Sequence, residues 1–119
     1  MKRIKDKLER RNRRKKHIRK NLKGTSACPR MTVYRSNKKM YIQVIDDDKG
    51  VTILSASSIE KDLKDLKNCV GDAEKLGEVI GDRLKKKKIK RIVFDRNGYK
   101  YHGIIKAIAD GTRKKGIEF

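Results

Sequence analysis

The sequence predicts an α/β fold: a mixed four-stranded sheet, built as an antiparallel three-strand meander plus one parallel strand after a helical crossover, with a basic N-terminal helical arm. Three observations predict it. Between Arg30 and Ala56, three short stretches alternate apolar and polar residues, and turn-forming residues separate them. A helical pattern then places Ala73, Leu76, Gly77, Ile80 and Leu84 on one face. Finally, Ile92-Val93-Phe94 is a short β-rich run followed by a second helical pattern. Strand, helix, strand implies a right-handed crossover, so the third and fourth strands are expected to run parallel in one sheet.

Composition limits the partners. The chain has 119 residues, enough for one domain, of which 35% are hydrophobic and 5% aromatic, so the core is modest. Charged residues reach 42% with a net charge of +20, an excess that points to a polyanionic partner. No apolar run approaches the ~20 residues that span a bilayer, and no apolar segment follows the N-terminal charges as in a secretory signal. A cytoplasmic protein bound to nucleic acid, with no membrane partner, is expected.

Three parts are expected: an RNA-binding arm over residues 1–23, a hinge over 24–29 and a folded domain over 30–119. The arm carries 13 Lys and Arg against Asp6 and Glu9, so +11 of the +20 lies there. Ile4 with Leu8, and Ile18 with Leu22, keep i,i+4 spacing, and no Gly or Pro interrupts before Gly24. A helix is therefore possible, but too polar around its circumference to pack as core. Like charges would fray it when free, and phosphates would let it form. Gly24-Thr25-Ser26-Ala27-Cys28-Pro29, with the only proline, makes the hinge.

In the domain, Met31 and Val33 alternate with Thr32 and Tyr34, Ser36 to Lys39 forms a turn, and Met40, Ile42 and Val44 alternate with Tyr41 and Gln43. Asp46-Asp47-Asp48-Lys49-Gly50 forms a second turn before the strand Val51 to Ala56. Ser57 and Ser58 can cap a short helix from Ile59 to Leu66. Asp72 is expected to cap the next helix, with Gly77 and Gly81 allowing close approach to the sheet. Lys85 to Lys88 end that helix as a solvated turn, favoured over RNA contact. Ile92-Val93-Phe94 is expected to be a central strand covered on both faces. Ile104, Ile105, Ile108 and Ala109 mark a last helix, stopped at Lys114, Lys115 and Gly116, with Phe119 tucking back.

The stretch Arg91 to Gly103 joins a buried strand to a loop bearing cations and flat rings, a pairing suited to phosphates and unstacked bases. Asn97-Gly98 is a strong turn pair, and Asp95 should cap that turn or fix an arginine. Tyr99 and Tyr101, in a polar loop with little core to fill, are assigned to RNA, and Tyr34 to packing on a helix. His102 is assigned to packing or hydrogen bonding, not catalysis. Cys28 and Cys69 lie far apart and form no CxxC pair. With only His17 and His102 beside them, they are expected to be free, semi-buried thiols and not zinc ligands.

Val93 to Gly103, Lys106 to Asp110, the ending Gly116-Ile117-Glu118-Phe119, the hairpin residues Arg35 to Lys38 with Tyr41 to Asp46, and Asp72 to Gly81 together resemble a known family. It is the bacterial large-subunit ribosomal protein family universally called L-eighteen. The similarity covers nearly the whole chain. The family often has a basic residue where Ile104 stands and glycine where Asn97 stands, and asparagine also adopts left-handed backbone. The resemblance implies a ribonuclease-H-like motif of translational components. It further implies binding to 5S ribosomal RNA in the central protuberance of the large subunit, contacts to 23S ribosomal RNA, and a neighbouring 5S-binding ribosomal protein.

RNA binding is expected to divide in two. Lys2, Arg3, Arg10, Arg11, Arg13, Arg14, Lys15, Lys16, Arg19 and Lys20 of the arm neutralise phosphates with little sequence content. Arg35, Ser36, Asn37, Lys38 and Tyr41, with Arg96, Asn97, Gly98, Tyr99, Tyr101 and His102, recognise shape and offer stacking. No cofactor, metal or small-molecule substrate is expected. Two alternatives stand beside this. A general basic chaperone would bind any polyanion alike. A metal-dependent nuclease would use Asp46, Asp47, Asp48 and Asp95, but the first three form a hairpin turn and fold kinship does not establish chemistry.

Overall fold

The polypeptide runs α1 (Lys2–Lys20), β1 (Arg30–Arg35), β2 (Met40–Asp46), β3 (Val51–Ser57), α2 (Val70–Lys86), β4 (Val93–Asp95) and α3 (Ile104–Lys114) in a computed structural model. The structure describes residues 2–20, 23–36, 39–60, 63, 66 and 69–119, without the side chains of 2–5 and 18–20. The strand order is β3-β2-β1-β4. β1 and β2 pair antiparallel with Tyr34 opposite Tyr41 and Thr32 opposite Gln43, and β2 and β3 continue the meander. β4 pairs parallel with β1, Met31 opposite Phe94 and Thr32 opposite Asp95. β3 and β4 thus run in one direction at opposite edges of one sheet.

Period-two alternation decides which face is buried. Met31 and Val33 of β1 and Met40, Ile42 and Val44 of β2 are fully buried in one core. Ala73, Leu76, Ile80 and Leu84 of α2 meet them there, with Ile104, Ile105 and Ile108 of α3. Each fully buried aliphatic side chain contributes about 1.5–3 kcal/mol of transfer free energy. The opposite face carries Thr32, Tyr34, Tyr41 and Gln43, none of them buried.

Several expectations change. β4 is an edge strand of three residues, with Val93 and Phe94 only half-buried, not a central strand. Its apolar run is continuous because Ile92 enters the core just before the strand, while Phe94 stacks on Phe119 (centroids 5.7 Å apart). The chain end shields that side: Ile92 N–H donates to Glu118 O (3.1 Å) and Glu118 N–H to Lys90 O (2.9 Å). α2 begins after Cys69, not at Asp72, which sits in its first turn, where a carboxylate favours the dipole. Cys69 is exposed, not semi-buried.

The predicted helix from Ile59 to Leu66 lies partly outside the described residues. Where described it makes short i→i−3 bonds, Leu63 N–H to Glu60 O (2.9 Å) and Leu66 N–H to Leu63 O (3.1 Å), not an α-helix. Ser58 does not cap it. Its buried hydroxyl accepts from Met40 N–H (2.9 Å), prolonging the sheet. Gly77 approaches not the sheet but α3, where a Cβ would strike the Ile108 carbonyl, and Gly111 stands likewise against the Glu74 carbonyl. Between them the Thr112 hydroxyl lies 3.1 Å from Gly77 O and 3.0 Å from Ile108 O.

Candidate nucleic-acid interface

The turn after β4 is fixed from below. Asp95 is completely buried, and its carboxylate accepts Asn97 N–H at 2.9 Å and Arg30 Nη1 at 2.6 Å. Both functions expected of it are met. Arg30 also grips both oxygens of Asp47 (3.0 Å each). Hydrogen bonding to Asp47 outweighs the desolvation of Arg30 and, with Asp95, holds the guanidinium above its usual range. Asp47 in turn accepts Gly24 N–H at 2.7 Å, so residues 24–29 begin on a buried glycine tied to the β2–β3 turn.

Above this base Asn97 (φ +54°) and Gly98 (φ +77°) are both left-handed, as in a type I′ turn, with Tyr99 N–H donating to Arg96 O at 3.0 Å. α1 rests on the carbonyls of this turn. Arg11 Nε donates to Asn97 O (3.3 Å) and Arg14 Nε to Gly98 O (2.9 Å). Only glycine fits at position 98, since a Cβ would stand 2.7 Å from Arg11 O and 2.9 Å from the Lys15 side chain. The Arg11 guanidinium lies 4.1 Å from the Tyr99 ring centroid and 5.8 Å from that of Tyr34. Tyr99 hydroxyl donates to Arg35 O (3.1 Å) and accepts Arg35 N–H (3.3 Å), tying the loop to the end of β1.

Beside α1 the open sheet face forms a groove of about 620 Å³, lined by Lys15, Thr32, Tyr34, Ser36, Tyr41, Gln43 and Asn97 among others. Tyr34 and Tyr41 tilt at 50° with centroids 5.7 Å apart. Tyr34 is exposed and does not pack against the core helices, because its strand position faces away from them. Arg11 and Lys15 are half-buried one helical turn apart, whereas Arg10, Arg13, Arg14 and Lys16 are exposed. Among the described side chains of the helix, Arg11 and Arg14 contact the domain through their stems and heads, while Leu8 stays in solvent.

The structure therefore brings Arg11, Arg14, Lys15, Ser36, Tyr41, Asn97, Gly98 and Tyr99 together, with Arg35 bonded to Tyr99. Arg96 turns inward, its Nη1 on Tyr99 O at 3.2 Å. Tyr101 is set apart: it meets Phe94 edge-on and accepts Arg113 Nη1 at 2.9 Å. His102 is exposed on the same loop. Asn37 and Lys38 lie outside the described residues, as do the side chains of Lys2, Arg3, Arg19 and Lys20. Sequence reasoning missed Arg30, Thr32 and Gln43. The alternation that buries Met31 and Val33 is the signal that could have found the last two. The carboxylates considered for a nuclease are otherwise engaged. Asp46 accepts Asp48 N–H (3.0 Å) and Lys49 N–H (3.3 Å) within its turn, and Asp47 and Asp95 hold Arg30. Among the described residues, no three His, Cys, Asp or Glu cluster as a metal site, and no helix is long and apolar enough to cross a membrane.

Comparison with known proteins agrees with the early resemblance. Residues 5–119 match the family described as "Ribosomal L18 of archaea, bacteria, mitoch. and chloroplast". The chain is 55% identical to the large ribosomal subunit protein uL18 of Treponema denticola over 114 residues, 96% of this chain and 95% of the relative. It is 52% identical to that of Borrelia hermsii over 119 residues, 99% of each chain. It is 48% identical to that of Solibacter usitatus over 114 residues, 96% of each. A match across nearly the full length, over a basic helix seated on an Asn-Gly turn, places this chain in the ribosomal L18 family.

Proposed function

We propose that this chain binds 5S ribosomal RNA and helps attach it to 23S ribosomal RNA in the central protuberance, beside a neighbouring 5S-binding ribosomal protein. Its family makes it a structural component of the large ribosomal subunit and not an enzyme. The observation that carries the RNA reading is the seating of Arg11 and Arg14 on the Asn97–Gly98 carbonyls. That seat aligns a row of exposed cations with the tyrosine-bearing sheet face. In this reading residues 1–23 act as the arm, 24–29 as the connection and 30–119 as the domain that recognises RNA shape. Arg10, Arg13, Arg14 and Lys16, with Lys2, Arg3, Arg19 and Lys20, meet phosphates. Tyr41, Tyr101 and His102 meet bases or sugars, Arg35 to Lys38 approach the same strand, and Tyr99 positions Arg11.

Binding of the full chain to a 5S transcript and to an unrelated hairpin of equal length tests the proposal. Arg10, Arg13 and Lys16 changed together to Gln should weaken both RNAs and flatten the dependence of log K on log salt by about 3. Tyr41→Ala with Tyr101→Ala should erode the preference for 5S. Equal affinity of the unaltered chain for both RNAs would defeat the proposal.

A further inference from the structure

The two helices covering the sheet end in related turns, but not on the same residue. α3 closes on Gly116 at φ +87°, whose N–H donates to Arg113 O at 2.9 Å. α2 closes on Lys88 at φ +61°, with Lys88 N–H on Lys85 O (2.9 Å) and Ile89 N–H on Leu84 O (3.0 Å). That pair of bonds is the helix ending glycine favours, because a side chain at positive φ crowds its own backbone. A lysine here is held at a cost in stability.

Lys88 is not isolated. Lys85, Lys86, Lys87 and Lys90 surround it, all exposed. None of the five has an ion-pair partner among the described residues, yet other lysines of the domain do. Lys114 pairs with Glu74, Lys115 lies 3.6 Å from Asp82, and Lys75 lies 3.8 Å from Asp72. The negative end of α2 favours a cation or two in its last turn, not five. Lys85, Lys88, Lys90 and Lys115 rim an open groove of about 680 Å³, with Lys86 and Lys87 beside it in sequence; its lining includes Ile89, Ile117 and Glu118, whose carboxylate is paired with Arg91 at 3.2 Å. The groove lies where the chain enters β4. The Asn97–Gly98 turn leaves β4 at its other end, so the two basic surfaces are separate.

We propose that this lysine-rimmed groove is a second RNA site, gripping the phosphate backbone of a strand other than the one held by α1. Five cations within six residues suit the one negative charge per ~1.7 Å of a nucleic-acid duplex, which an extended acidic peptide, at one residue per ~3.3 Å, does not reach. They also reverse the repulsion that two helix C-termini would exert on phosphate. The backbone strain at Lys88 follows: glycine would relax it but would remove the charge. As a second site the groove rests on the α1 interface being the first, and the test separates the two.

The full chain is first saturated with labelled 5S transcript, and a differently labelled 20-base-pair RNA duplex of unrelated sequence is then titrated in. Lys88→Gly should raise the melting temperature by about 4 °C, as expected for release of such strain. It should also weaken duplex binding about three- to tenfold and flatten its salt slope by about 1, with the 5S complex unaltered. Lys88→Gln should weaken duplex binding without the gain in melting temperature. The proposal falls if both variants bind duplex as the unaltered chain does, if Lys88→Gly melts lower, or if polyglutamate of equal charge displaces the duplex equally well. Should the chain lack preference for 5S, the same variants titrated with duplex alone still decide the groove.

Discussion

Asp95→Ala removes the support under the α1 seat, and its cost can be worked from the contacts. The carboxylate is fully buried, and its bonds include those from Arg30 Nη1 at 2.6 Å and from Asn97 N–H at 2.9 Å. A hydrogen bond between charged groups contributes about 1.5–3 kcal/mol and the turn bond about 1 kcal/mol. Arg30 keeps both bonds to Asp47, so the variant does not strand a buried charge, which would cost about 3–5 kcal/mol. The expected loss is about 2–4 kcal/mol. Urea unfolding followed by circular dichroism should show the midpoint falling by that equivalent with an unchanged slope. Asp95→Asn keeps an acceptor for Asn97 N–H and should fall between Asp95→Ala and the unaltered chain. A loss below about 1 kcal/mol for Asp95→Ala would refute the view that this carboxylate holds the turn. RNA affinity should fall in parallel, since Arg11 and Arg14 of α1 both donate to the carbonyls of this turn.

Other substitutions probe other links. Gly77→Ala and Gly111→Ala gain helix propensity of about 1 kcal/mol, but each drives a Cβ into a backbone carbonyl of the facing helix. Net losses of about 1–3 kcal/mol are expected in denaturant, whereas Gly71→Ala, which meets nothing, should not destabilise. The Glu60 carboxyl is held below its usual 4.5, chiefly by the hydrogen bond from Arg83 and against the effect of burial. Its contribution to stability is therefore complete above pH ~4.5 and lost as pH falls through the lower folded value. Unfolding midpoints measured from pH 6 to pH 3 should lose that component in Glu60→Gln. Arg11→Ala removes the contact over Tyr99 and the bond to Asn97, and should lower hydrogen-exchange protection along α1 by about 1–2 kcal/mol.

Patterns set by local chemistry were legible in the sequence. Met31, Val33, Met40, Ile42 and Val44 announce a buried sheet face by alternation alone, and Asn97-Gly98 announces a left-handed turn, because each depends only on near neighbours. Patterns decided by distant partners were not. Ile92-Val93-Phe94 has the composition of a central strand, but its cover comes from Phe119 and the Glu118 backbone, more than twenty residues later. Gly77 and Gly81 indicate close approach without indicating to what, and the answer lies in Ile108 and Lys115. The site was legible in its cations and its loop. It was not legible in Tyr34, whose exposure follows from strand register, nor in Arg30, whose partners Asp47 and Asp95 come from two different turns.

The docking of α1 bears on how a helix this basic can be both ordered and available. Arg11 and Arg14 rest on neutral carbonyls, and Arg11 also on an aromatic face. Such contacts contribute about 1 kcal/mol each and leave the charge uncancelled. Carboxylate partners would orient the helix more firmly but would have to be given up, or would repel phosphate, when RNA arrived. A turn with two consecutive left-handed residues provides the alternative, because it presents the Asn97 and Gly98 carbonyls to the helix while its own donors are used by Asp95 and Arg96 O. The exposed set of Arg10, Arg13 and Lys16 then faces outward at full charge from a helix whose direction is already fixed. Under the proposed function, RNA binding on that side requires no rearrangement of the seated face, which limits its entropy cost to the outward side chains.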